Sequence, residues 1–323
     1  MTNPFIHLQH GQTTHLLEDD HFGVADHLWR SNEIDALTLA WATQRPLLVR
    51  GEAGCGKSQL ARAAAAVLRA QNDRVELVYE VIHPRFEALD LLYRIDTIER
   101  LADAELVHVD PAIFDRTGAK YVKHGAMWRA FNAQNHCGQS VLLIDEIDKA
   151  DSDIPNALLE VMGNRSFSLP AAGASKTLKV NRLPLIVVTT NEERELPVAF
   201  LRRCVVLNQN PPKDDNTEDF LSWLIERGTV HSRLTIAVQP RRWAAEQVLA
   251  DRLVAKPLGL GRVGLAEYVD LLTALHDLTR EASDEVRESE QTGWLKRLNQ
   301  YALVKGADQD QARSPVAALM NAG

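Results

Sequence analysis

Cysteine is scarce in this sequence: Cys55, Cys137 and Cys204 are the only three in 323 residues, an odd number with no Cys-x-x-Cys pair. A disulfide framework and a cysteine-built zinc site are both disfavoured, and a reducing compartment fits. Long apolar runs are missing too. The longest, residues 63–68 and 141–144, fall far short of the roughly 20 residues that a bilayer crossing requires. The first ten residues, Met-Thr-Asn-Pro-Phe-Ile-His-Leu-Gln-His, carry neither a basic nor an apolar stretch, so no secretory signal is expected and the cytoplasm is the expected location. Positive charge is in deficit, with 36 Lys and Arg against 44 Asp and Glu, a formal net charge of −8. No global field would draw the chain onto nucleic acid or anionic lipid, and neither is expected as a partner. With 25% charged and 45% hydrophobic residues, the composition is that of an ordinary globular protein, and the length leaves room for about two domains.

Residues 1–30 hold five histidines (His7, His10, His15, His21 and His27) and the acids Asp19, Asp20 and Asp26 without clear periodicity. Metal ligands usually sit closely spaced on regular elements, so 1–30 reads as a solvated N-terminal linker. From Asn32 onward, Ile34, Leu37 and Trp41 recur at helical spacing, with Asn32 and Asp35 as a weak capping box. Short β-like runs then alternate with helical stretches, at 46–50, 74–81, 141–144, 185–189 and 204–207. Apolar strands alternating with helices predict a parallel sheet covered on both faces, an α/β domain over 31–210. Asn210-Pro-Pro-Lys-Asp-Asp marks a hinge. Beyond it helices are predicted over 217–227, 240–255 and 265–282, a small all-α domain at 211–285. Residues 286–323 read as a polar tail in which Trp294, Leu295 and Leu298 could dock as a helix.

Gly51-Glu-Ala-Gly-Cys-Gly-Lys57-Ser58 satisfies the phosphate-loop pattern, directly after a predicted strand and before an Ala-rich helix. Glycines at those offsets let backbone N–H groups turn toward phosphate oxygens, Lys57 reaches the terminal phosphates and Ser58 can ligate magnesium. A plain Gly-rich turn would not need the Lys and Ser at fixed offsets. The second motif is a buried strand ending in two carboxylates, Val141-Leu-Leu-Ile-Asp145-Glu146. Asp145 suits a magnesium shell, and Glu146 is placed to polarise a water for in-line attack. Taken alone, the run would pass for a strand end followed by an acidic helix cap. Another buried strand ends at Thr190-Asn191, where Asn191 could hold the attacking water or a phosphate oxygen. Arg202 and Arg203 sit at a helix-to-strand junction, suited to transition-state charge but equally to surface ion pairs. Arg241, in Gln239-Pro-Arg-Arg242, begins a helix of the second domain. No Asn-Lys-x-Asp guanine reader occurs, which leaves adenine as the default base.

The order of these motifs, with Leu196-Pro-Val-Ala-Phe-Leu-Arg-Arg203 and Pro240-Arg241, resembles an AAA+ ATPase and, within that superfamily, the MoxR group, over roughly residues 20–285. Phe86-Glu-Ala-Leu-Asp-Leu-Leu-Tyr-Arg-Ile-Asp96 is similar to a MoxR-type insert near the second helix. The resemblance implies a P-loop NTPase parallel-sheet core of AAA+ type followed by a small all-α lid, with ATP and magnesium as cofactors. It makes Gly51, Glu52, Ala53, Gly54, Cys55, Gly56, Lys57, Ser58 and Gln59 the Walker A stretch. Asp145 and Glu146 become Walker B, Asn191 sensor 1, Arg203 the arginine finger and Arg241 sensor 2. Ser58 and Asp145 would hold the metal. Two departures stand out: the usual Asp-Arg-Phe reads Arg202-Arg203-Cys204, leaving the choice of arginine open, and Val238-Gln-Pro-Arg-Arg replaces the familiar Ser-Pro-Arg.

Phe167-Ser-Leu169 and Leu178-Lys-Val180 flank Ala-Ala-Gly-Ala and read as a hairpin before the sensor strand. In the family such a hairpin faces substrate or partner, although a plain surface hairpin has the same pattern. The resemblance further implies a homo-oligomeric ring, usually hexameric, and a protein client, such as a von Willebrand factor A-domain protein or a defence or protease module. The alternative is a nucleotide-dependent switch or scaffold subunit of a defence or signalling system. A DNA-associated motor is disfavoured by the acidic charge.

Overall fold

The computed structural model describes residues 3–106, 115, 118–150, 153–169, 176–213, 216–257 and 261–298. The chain begins with β1 (Thr13–Leu16), β2 (Ala25–Leu28), α1 (Ser31–Thr43), β3 (Leu47–Arg50), α2 (Lys57–Arg69) and β4 (Glu76–Val81). There follow β5 (Tyr93–Ile95), α3 (Thr97–Leu106), β6 (Val122–His124), α4 (Ala126–Cys137) and β7 (Ser140–Asp145). Next come α5 (Asp153–Asn164), β8 (Ser166–Leu169), β9 (Lys176–Lys179), β10 (Leu185–Thr190), α6 (Val198–Leu201) and β11 (Val205–Asn208). The last elements are α7 (Thr217–Val230), α8 (Val238–Ala255), α9 (Leu265–Leu278) and α10 (Asp284–Leu298). The chain divides into an α/β unit (1–16, 29–51 and 57–208) and a helical unit (17–28, 52–56 and 209–323).

In the α/β unit, the five predicted strand runs form one sheet in the order β11-β3-β10-β7-β4, parallel throughout. Val141, Leu142, Leu143 and Ile144 of β7 have no exposed surface, which is why they read as a continuous apolar run instead of alternating. Chain order across the sheet is 5-1-4-3-2, so β3 lies between strands that come much later. The carboxyl ends of β3, β10 and β7 are therefore neighbours, at Arg50, Thr190 and Asp145. That reversal of strand order is where open parallel sheets bind ligands. Gln134 of α4 accepts a hydrogen bond from the Ser140 N–H at 2.9 Å and fixes the entry into β7.

Helix α1 is amphipathic as predicted, burying Ile34, Leu37 and Trp41, but its start differs. Glu33 accepts from the Arg30 N–H at 3.0 Å, so the capping carboxylate is Glu33 and the proposed Asn32–Asp35 pair is not used. The predicted hairpin is present as β8 and β9, antiparallel from Ser166 opposite Lys179 to Leu169 opposite Lys176; its Ala-Ala-Gly-Ala tip lies outside the described residues. The Phe86–Asp96 stretch contains β5, which pairs antiparallel with β6, a strand that the periodicity did not suggest.

The reading of 1–30 as a solvated linker is overturned. Phe5 and Trp29 are 0% exposed, and Phe5 meets Trp41 edge to face at 5.9 Å. The Trp29 indole donates to Thr14 Oγ1 at 2.8 Å. Apolar residues spaced for two short strands lack the helical period that makes burial visible in sequence. Trp29→Ala is expected to cost about 3–5 kcal/mol, the usual loss for a buried large aromatic. Chemical denaturation checks this, and an unchanged midpoint would restore the linker reading.

The helical unit packs α7, α8, α9 and α10 around Phe220, Leu224, Val248, Tyr268, Leu272 and Leu295. Leu295 is buried on α10, so part of the predicted polar tail is a docked helix; residues 299–323 lie outside the described ones. Gln291 of α10 is fully buried, accepting from the Ala237 N–H at 3.0 Å and donating to Thr235 O at 2.8 Å.

Candidate nucleotide-binding site

Three parallel strands deliver the site. The loop after β3 leads into α2, whose first two residues are Lys57 and Ser58. Lys57 is buried, and its Nζ donates to Gly51 O at 2.9 Å and to Asn191 Oδ1 at 2.7 Å. Ser58 Oγ donates to Asp145, lying 2.8 and 2.9 Å from the two carboxylate oxygens. Asn191 in turn donates from Nδ2 to Glu146 Oε1 at 3.1 Å. Lys57, Asn191 and Glu146 therefore form one hydrogen-bonded chain and Ser58 and Asp145 a pair, both at the carboxyl edge of the sheet and joined into one polar network through Thr189.

The network extends to side chains the sequence reading passed over. The Thr189 hydroxyl donates to Asp145 Oδ1 and accepts from the Glu146 N–H at 3.0 Å. Thr189 follows Val188, which pairs with Ile144, so the register itself puts Thr189 beside Asp145. Tyr79 on β4 donates to Asp145 Oδ2 at 3.3 Å. Its burial, with the Asp145 charge and hydrogen bond, pushes the phenol up to about 12, so it stays a donor at neutral pH. Lys149 Nζ lies 2.5 Å from Glu146 Oε2, and that carboxylate holds the ammonium above its usual range. Asp148 is only 1% exposed and accepts from the Asn191 and Glu193 N–H groups at 3.4 and 2.8 Å, tying the turn after β10 to the turn after β7. Glu146 itself sits at φ 59, ψ 47, and Glu192 at φ 61. For a non-glycine residue that left-handed backbone costs about 1–3 kcal/mol, and such residues gather at functional sites.

The donor set suits the cofactors that the motifs imply. Ser58 Oγ and the Asp145 carboxylate are adjacent hard oxygen donors, the kind magnesium takes alongside phosphate and water. In the loop, Gly54 and Gly56 hold φ of 73° and 90°, values that let successive N–H groups form an anion-binding concavity at a helix start. Cys55 is buried. Glu52 pairs with Arg252 and Arg262 of the helical unit.

The two predicted arginines are placed differently. Arg203 lies between α6 and the edge strand β11 and is exposed, as is Arg202. Their backbone N–H groups bond to Phe200 O and Val198 O; neither guanidinium has a hydrogen bond or ion pair to a described residue. Neither joins the Lys57–Glu146 network. Arg241 begins α8 and is bonded inside the helical unit, from Nη2 to Ile236 O at 3.2 Å and from Nη1 to Thr229 Oγ1 at 3.3 Å.

Residues 46–212 match the family described as AAA domain (dynein-related subfamily). The chain belongs to this family. The matched span of the AAA domain runs from the start of β3 past the end of β11 and contains every member of the polar network. Over 145 residues the chain is 30% identical to the chloroplastic chaperone protein ClpC4 of Oryza sativa subsp. japonica, covering 45% of this chain and 13% of that protein. Among solved structures, a point mutant of Thermotoga maritima RuvB has a TM-score of 0.46 at 14% identity, covering 88% of this chain and 73% of that one. NtrX from Brucella abortus has a TM-score of 0.41 at 16% identity, covering 77% and 50%. The parallel sheet carrying a phosphate loop, with the helical unit beside it in sequence, is the α/β AAA+ fold with a helical lid. Among the described residues, no helix is long and apolar enough to cross a membrane.

Proposed function

We propose that the protein is a magnesium-dependent ATPase of MoxR-like type that assembles into a ring, of six subunits on the family pattern, and remodels or matures a partner protein in the cytoplasm. The observation that carries the reading is the single network joining Lys57, Asn191 and Glu146 beside the Ser58–Asp145 pair. Lys57 and the loop N–H groups would hold the phosphates, and Ser58 with Asp145 would hold the metal. The chemistry a magnesium ion held there would supply is positive charge that offsets negative charge developing on the phosphates. Glu146, oriented by Asn191, would accept a proton from the attacking water. Exposed Arg203 (or Arg202) would act on a neighbour's nucleotide, and Arg241 would sense the nucleotide within its own chain. The residues 31–210 would act as the nucleotide core and 211–285 as the lid. Partial similarity to a chaperone supports a protein client, in line with a von Willebrand factor A-domain partner or a defence or protease module.

Lys57→Ala is expected to lose ATP binding by at least about 100-fold, because Lys57 contacts groups already present in the ground state. Titration with a fluorescent ATP analogue, alongside phosphate release by the wild type, tests this. Tight binding by the variant would remove Lys57 from the site, and a wild type that neither binds nor hydrolyses ATP would overturn the ATPase reading.

The second reading, a nucleotide-dependent switch or scaffold with slow hydrolysis as a timer, is favoured by one observation: Glu146 rests in an ion pair with Lys149, a contact that would have to part before the carboxylate could turn to a water. Client-stimulated steady-state turnover separates the two readings.

A further inference from the structure

Glu52 puts a carboxylate inside a loop built for a polyanion, and alone it would repel that ligand. Its surroundings offset the charge. Glu52 Oε1 accepts from Arg262 Nη1 at 2.7 Å and from Arg252 Nη2 at 2.9 Å, and Oε2 lies 2.8 Å from the same Arg252 nitrogen. Arg252 is only 2% exposed. Its guanidinium lies 5.0 Å from the centre of the Phe220 ring, and Nη1 donates to Val263 O at 3.1 Å. A cation so buried requires a counter-charge, and Glu52 supplies it. Two more contacts hold the same loop: the Glu52 N–H donates to Asn210 Oδ1 at 3.2 Å, and a Cβ on Gly54 would lie 2.8 Å from Ala266 Cβ.

We propose that Arg252, assisted by Arg262, is a positioning residue for ATP binding: it neutralises and anchors Glu52 so that the loop presents N–H groups, and no net negative charge, to the phosphates. This rests on the ATP-binding reading above. A buried Arg252 that merely supports the helical core would predict the same structure but a different dependence on Glu52.

A double-mutant cycle on the full chain separates these roles. Affinities for ATP, ADP and AMP are measured for the wild type, Arg252→Met, Glu52→Gln and the double variant. Arg252→Met is expected to weaken ATP binding about tenfold in the wild-type background and less than about threefold in the Glu52→Gln background, with the loss falling from ATP to AMP as ligand charge falls. Arg262 is half exposed, so Arg262→Gln keeps the core intact and is expected to show the same pattern at smaller amplitude. It decides the matter if Arg252→Met does not fold. Equal losses in both Glu52 backgrounds, or the same loss for ATP and AMP, would overturn the proposal. A wild type that binds no ATP would instead overturn the underlying reading.

Discussion

Glu146→Gln is expected to bind Mg·ATP with nearly wild-type affinity and to hydrolyse it about 10²- to 10⁴-fold more slowly, the usual range for removing a general base. Lys149 and Asn191 donate to the two separate Glu146 carboxylate oxygens, at 2.5 and 3.1 Å; the isosteric amide keeps one acceptor oxygen, which can hold Lys149, and its NH2 gives up the bond from Asn191. Side-chain size and the link to Lys149 thus survive while the proton acceptor is lost. On the proposed reading, binding and chemistry should separate because Lys57 and Ser58 would meet the nucleotide in the ground state, whereas Glu146 would matter only as the water attacks. Phosphate release at saturating ATP, paired with equilibrium binding, measures both. Turnover within a few-fold of wild type would take Glu146 out of the mechanism and shift attention to Asp148 or Glu192 nearby.

Arg203→Ala is expected to reduce turnover about a thousandfold or more with ATP affinity nearly intact, as for an arginine supplied from a neighbouring subunit. The exposed guanidinium beside edge strand β11 has no described partner to lose, so the fold should not suffer. Mixing tests the trans role. Arg203→Ala subunits keep an intact ATP site, and Lys57→Ala subunits keep an intact finger, so each is inactive alone and the mixture regains part of the activity. Recovery should disappear on dilution below the assembly concentration. No recovery despite demonstrated co-assembly would assign Arg203 a role in its own subunit. If Arg202→Ala gives the whole pattern and Arg203→Ala does not, the trans mechanism stands with the neighbouring arginine.

The buried parallel strands were legible because their carboxyl-end chemistry follows uninterrupted apolar runs. Leu185 through Thr190 and Val141 through Asp145 announce both strand and site. Lys57 and Ser58 were legible because a phosphate loop needs them at fixed offsets. Thr189, Tyr79 and Lys149 were not, for different reasons. Thr189 joins the polar network only through the register that sets it beside Asp145. Tyr79 depends on which strand pairs with β7, a fact of topology and not of local sequence. Lys149 looked like any surface lysine in an acidic turn. The N-terminal residues misled because histidines and acids dominate their composition, while Phe5 and Trp29, two aromatics 24 positions apart, carry the burial. Glu52 was read as one more loop position, since its partners lie far along the chain.

That separation has a bearing on how the protein is made. Asn210, Arg252 and Arg262, which hold Glu52, come 158, 200 and 210 residues after it. At about 5–20 residues per second, the ribosome releases the last of them some 10–40 s later, plus the time to clear the exit tunnel. The glycine-rich loop is thus synthesised well before the residues that hold its Glu52. A nascent chain carrying only the sheet therefore leaves Glu52 without either arginine, and a premature stop before Arg252 does the same permanently.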